Sequence, residues 1–156
     1  MMIVLGIDPG SRVTGYGVIS FHKNKLNYLG SGCIKTTSSD IPSKIGEIFQ
    51  DLTAVILEFR PHICAIENVF MGKNPGSALK LGQARGSAIA AAKNQNLDVL
   101  EFAPRTIKQH VVGKGSASKE QVKHMVCYLL NIQGKLQIDA SDALAISICC
   151  AHNIRT

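Results

Sequence analysis

Met2-Ile3-Val4-Leu5-Gly6-Ile7-Asp8-Pro9-Gly10-Ser11 starts as an unbroken apolar run and stops at an acid followed by two turn formers. A run of this length and composition reads as a buried strand, and Pro9-Gly10 ends it abruptly. Asp8 is therefore held at a strand end. Taken alone, Asp-Pro-Gly is an ordinary turn. A second run, Ile63-Cys64-Ala65-Ile66-Glu67, also closes on an acid. If the two strands lie side by side and parallel, their carboxyl ends converge, and ligands collect at such ends.

The sequence between and beyond these runs supports that pairing. Residues 13–21 are β-rich, with Gly15 and Gly17 two apart on one face. His22-Lys23-Asn24-Lys25 is a hairpin turn, and residues 26–36 form a third strand. Ile45, Ile48, Phe49, Leu52, Val55, Ile56 and Phe59 fall at helical spacing over residues 41–60, with Pro42 in the first turn and Pro61 past the end. A helix that returns to a new strand implies parallel pairing with the first.

Residues 68–76 read as a loop, 77–95 as a helix of small residues, and 97–102 as a fifth strand. Helices follow from Pro104, from Ser118-Lys119-Glu120-Gln121 and from about residue 139 to 153, with the Gly/Lys loop 113–119 and Gly134 as breaks. The order predicts an α/β fold, a mixed five-stranded sheet with helices packed on it. At 156 residues the expectation is one domain, 1–156.

The chain is basic, with 17 Lys and Arg against 11 Asp and Glu. A surplus of that sign suits a polyanionic partner, and many basic proteins bind no nucleic acid. No apolar run reaches the roughly 18 residues that a membrane span needs. The start has no positive leader or small-residue cleavage site, so a cytoplasmic location is expected. Five cysteines occur without any CxxC pair, which fits reduced thiols better than zinc. Gly113-Lys114-Gly115-Ser116 follows no strand and lacks the Gly-Lys-Ser/Thr element, so it is no phosphate loop. The five histidines form no metal-ligand pair.

Two more acids, Asp139 and Asp142, stand three apart at the start of the last helix. They fit a capping pair, Asp at the N-cap and an acid at N3, favoured by the helix dipole. The same spacing puts both on one helix face, where they can serve a metal. Asp8, Glu67, Asp139 and Asp142 together match the oxygen ligands of a site with two divalent cations about 3.5–4 Å apart, which activates water for phosphodiester cleavage. Four clustered acids without cations repel one another.

Four stretches carry a resemblance: Asp8-Pro9-Gly10; Ala65-Ile66-Glu67-Asn68-Val69-Phe70; residues 77–86, SALKLGQARG; and Asp139-Ala140-Ser141-Asp142-Ala143-Leu144-Ala145. Together they closely resemble the RuvC family of bacterial Holliday-junction resolvases, across nearly the whole chain. The resemblance implies a ribonuclease H-like fold and a homodimer. It implies paired symmetric nicks at a four-way junction, leaving 5′-phosphate and 3′-hydroxyl ends. It also implies that Asp8, Glu67, Asp139 and Asp142 are catalytic acids binding Mg²⁺, two ions per subunit, with Mn²⁺ as a substitute. Phe70 matches the family's junction-stacking phenylalanine; Lys108 and Lys119 match lysines near the cut site, and Lys73 lies beside Phe70 as a phosphate contact. The small-residue helix is implied in the dimer interface, and the RuvA–RuvB branch-migration complex is the implied partner.

Two other readings compete. An ATP-using actin-like domain shares the Gly-Ile-Asp start, but needs a second lobe to close over nucleotide. A noncatalytic junction-binding module would have no use for a full set of acids.

Overall fold

The computed structural model describes every residue except Phe70, Met71, Lys73, Arg155 and Thr156. Its elements run β1 (Met2–Asp8), β2 (Val13–His22), β3 (Lys25–Lys35), α1 (Ile41–Phe59), β4 (Ile63–Glu67), α2 (Pro75–Asn94), β5 (Asp98–Phe102), α3 (Pro104–Val112), α4 (Lys119–Leu130) and α5 (Ile138–Asn153). The strands form one five-stranded sheet in the order β3-β2-β1-β4-β5. β1 pairs antiparallel with β2 and parallel with β4, as the helix between them requires.

Local chemistry sets the boundaries. Lys23 and Asn24 both take positive φ, 45° and 69°, which gives the two-residue turn that matches strand twist. Asp40 caps α1 by accepting the Ser43 N–H at 2.9 Å. Arg60 ends α1 in the left-handed region, φ 49°. α2 begins at Pro75, earlier than the small-residue pattern suggests, because Asn74 caps it and Pro75 is preorganised for the first turn. Ser118 and Gln121 form a reciprocal capping box that fixes where α4 starts.

Alternation along the strands sorts the core into two layers. Leu5, Ile7, Val18, Cys64 and Ile66 pack with α1 and α2. Val4, Ile19 and Ala65 face the other way, with α3, α4 and α5. Asp8 and Glu67 continue that second alternation, so both acids belong to the α5 side of the sheet. α5 is apolar nearly all round because it is buried on nearly all sides, from Ala140 to Ala151 with Asp142 as the half-buried exception.

Glycines let α5 lie close to the strands. Gly6 pairs with Gly17 across β1 and β2, and Gly15 stands opposite Asp8. A Cβ on Gly6 would come 2.8 Å from the Ser147 nitrogen, and one on Gly17 2.7 Å from Leu144. One on Gly15 would collide with the Asp139 carbonyl oxygen. The bare backbone of β1 and β2 is the seat of the helix.

Candidate active site

Asp8 ends β1 and Glu67 ends β4, one residue past the last registered pair, Ile7 with Ile66. The two acids therefore emerge from neighbouring parallel strands at the same end of the sheet. α5 brings the other two. Asp139 lies in its first turn and Asp142 follows on the same face. The capping reading of this pair does not hold: the N-cap is Gln137, and no side chain caps the helix. The helix starts two residues earlier than a capping Asp139 would need, which leaves both carboxylates available to the cleft.

Carboxylate oxygens of Asp8, Asp139 and Asp142 all lie within 4.8 Å of one another. Glu67 stands outside that trio but lines the same cavity, of about 380 Å³. Lys108 from α3 and Lys119 from the start of α4 line it too. Phe70 and Lys73 lie outside the described residues.

The electrostatics are those of crowded negative charge. Burial and the charges of Asp142, Asp139 and Glu67 raise the Asp8 pKa to about 7, against a lowering by Lys119. Burial and Asp142 raise Glu67, while Lys119 and Lys108 lower it. Burial raises Asp142 as well, with Lys119 opposing and Asp139 adding. Asp8, Glu67 and Asp142 are destabilised as anions, and the convergent oxygens of Asp8, Asp139 and Asp142 fit a hard divalent cation.

Arg85 is a residue that sequence reasoning missed. Its Nε donates to the Glu67 carbonyl at 3.3 Å, and its guanidinium pairs with Glu101 on β5. α2 thereby holds the end of β4 from behind. No local pattern announces this, because the three residues come from separate elements.

A larger hollow, about 780 Å³, lies beneath the β2–β3 hairpin and has Lys25, Tyr28 and His152 in its lining but no acid. It is at the Met2 end of β1, opposite Asp8. The cysteines are free; burial pushes the Cys64, Cys149 and Cys150 thiols up to about 12, so they stay protonated.

Known proteins match this arrangement over its whole extent. The family model for crossover junction endodeoxyribonuclease RuvC matches residues 4–150. A crossover junction endodeoxyribonuclease RuvC of Photobacterium profundum is 60% identical over 156 residues, all of this chain and 90% of the relative. One from Histophilus somni is 59% identical over 154 residues, 99% of this chain and 82% of the relative. The structure of T. thermophilus RuvC in complex with Holliday junction substrate superposes with a TM-score of 0.93 at 32% identity, covering 99% of this chain and 96% of that one. The yeast mitochondrial Holliday junction resolvase, at 15% identity and a TM-score of 0.68 over 95% of this chain and 78% of its own, shares the fold. Matched from its first strand to its last helix, the chain belongs to the RuvC family of crossover junction endodeoxyribonucleases.

Proposed function

We propose that this chain is a metal-dependent endonuclease that resolves four-way DNA junctions, with residues 1–156 acting as one nuclease domain. The observation that carries the reading is the meeting of Asp8, Asp139 and Asp142 oxygens within 4.8 Å, in a cavity that Glu67 also lines. The T. thermophilus relative bound to a Holliday junction supplies the substrate class.

The four acids would hold Mg²⁺, two ions per subunit, with Mn²⁺ as a substitute. When bound, such cations activate water and stabilise the departing oxygen. The chain's own groups do the positioning. Asp8 and Glu67 are fixed by adjacent strand ends, and Asp139 and Asp142 by the glycine-seated helix. Lys119 and Lys108 bring positive charge to the same cavity, where they place the phosphate and offset its charge. Water adds to phosphorus, the bond to the 3′ oxygen breaks, and the products are a 5′-phosphate and a 3′-hydroxyl. Phe70 stacks on an unpaired base at the junction centre and Lys73 touches phosphate.

The acting form is a homodimer, because two sites related by a two-fold axis reach two strands related by the same symmetry. Family membership adds work beside the RuvA–RuvB branch-migration complex in the bacterial cytoplasm. Among the described residues no helix is long and apolar enough to cross a membrane.

The experiment is incubation of D8N, E67Q, D139N and D142N with a synthetic four-way junction and Mg²⁺. Paired symmetric nicks by the unaltered chain and none by the variants is the expected result. Cutting by the variants at the unaltered rate would remove these acids from the reaction. F70A is expected to process the junction poorly while still binding divalent ions.

A further inference from the structure

Among the described residues, three cations outside the catalytic cavity gather in another hollow. Arg12 lies at the β1–β2 turn, Lys44 at the start of α1, and Lys80 in α2. They line a common cavity of about 330 Å³ with Ser11, Ser77 and Leu81. Three cations from three elements repel one another there. Neither ion pair found among the described residues involves them, and Lys44 is half-buried. The nearby acids are committed elsewhere. Asp40 accepts the Ser43 N–H at 2.9 Å, and Glu47 accepts backbone N–H groups of Thr37 at 2.7 Å and Ser38 at 2.8 Å. Neither α1 nor α2 has an acid in its first turn, so the positive ends of both helices add to the same potential.

The hollow borders the cleft. Leu81 lines it and also lines the adjoining cavity that contains Asp8 and Glu67. Arg12 follows Asp8 by one tight turn, which is fixed: the Thr14 hydroxyl accepts the Gly10 N–H at 3.3 Å and donates to the Gly10 carbonyl at 2.9 Å. A side chain at Gly10 would collide with the Val13 carbonyl oxygen. Arg12 is therefore carried at a set offset from the catalytic acid.

We propose that Arg12, Lys44 and Lys80 form a subsite for one backbone phosphodiester, on the DNA strand that passes through the catalytic cleft and beside the bond that is cut. The inference rests on the junction-nuclease reading and deepens it. Among the described residues no aromatic side chain lines the hollow, so those residues offer no stacking surface for a base. Its cations and hydroxyls suit phosphate, which fixes register without reading sequence.

The test is junction binding by fluorescence anisotropy in chelator over a series of salt concentrations. R12Q, K44Q, K80Q and the triple variant are compared with the unaltered chain and with K23Q on the distant hairpin. The triple variant is expected to flatten the slope of log K against log salt by about one, the amount for one neutralised phosphate. Each single variant flattens it by less, K23Q leaves it unchanged, and thermal midpoints do not fall. The double variant K44Q/K80Q gives the same sign should the triple variant fold poorly. Unchanged slopes in the triple and double variants, or an equal loss in K23Q, overturn the subsite and leave the nuclease reading standing. An unaltered chain that neither binds nor cuts the junction overturns that reading, and the subsite with it.

Discussion

The backbone of Asp139 rests directly on Gly15, the residue paired with Asp8 across β1 and β2. One glycine thus lies between two acids of the candidate site that are far apart in sequence. Its missing side chain lets the start of α5 settle beside the end of β1, and the carboxylates meet because the backbones do.

Gly15→Ala should therefore act on stability and site together. The new methyl meets backbone, which cannot rotate away, and would also stand 3.1 Å from the Ala140 nitrogen. We expect a loss of about 1–3 kcal/mol in denaturant unfolding, the cost of overpacking, with weaker Mn²⁺ binding by calorimetry. Undiminished Mn²⁺ affinity would show that α5 need not rest on β2 to form the site.

The metal-free protein should lose stability as pH rises from about 4 to about 7. Folded Asp8 keeps its proton up to about 7, whereas the unfolded chain releases it near 3.8. Across that window the folded state binds more protons, so each rise in pH favours unfolding, by on the order of a few kcal/mol in all; above it the effect is complete. Asp8→Asn removes this penalty. In chelator at pH 7 the variant should melt at a higher temperature than the unaltered chain while failing to cut DNA. Divalent ions should stabilise the unaltered chain more than the variant.

Lys119 opposes the raised pKa of Asp8, Glu67 and Asp142. In Lys119→Gln the three acids ionise at higher pH. The pH at which divalent ions bind half-maximally should move upward. Cleavage should fall most at the acidic end of the profile and recover partly as pH is raised. A uniform loss at every pH would mean that the lysine contacts phosphate without tuning the acids.

Gly86→Arg should separate assembly from folding. Nothing described lies within 4 Å of a Cβ at Gly82 or Gly86, and both are exposed on α2 together with Leu79 and Ala90. The opposite face of the helix buries Ala84, Ala88, Ala91 and Ala92. Within one subunit the arginine meets only solvent, and it replaces a poor helix former. Sedimentation should show a monomer whose unfolding midpoint is at least that of the separated unaltered subunit. A dimer of unaltered affinity would place the interface elsewhere.

The sequence alone fixed the element order, because each boundary carries its own chemistry: Asp8-Pro9-Gly10 ends β1, Asp40 and Pro42 open α1, and Ser118 with Gln121 opens α4. It also named the four acids, two by their place at strand ends and all four by family likeness. It left the role of Asp139 and Asp142 open, because an acid near a helix start serves capping and metal binding equally well. Only the tertiary structure removed the capping reading, by starting α5 at Ile138 without a side-chain cap. It alone explained Gly6, Gly15 and Gly17, whose purpose is the helix laid against them. Arg85 behind Glu67 and the three cations beside Ser11 were likewise invisible in one dimension. Periodicity and capping are written in neighbouring residues, whereas close approach, shared burial and electrostatic repulsion depend on distances that only the packed chain sets.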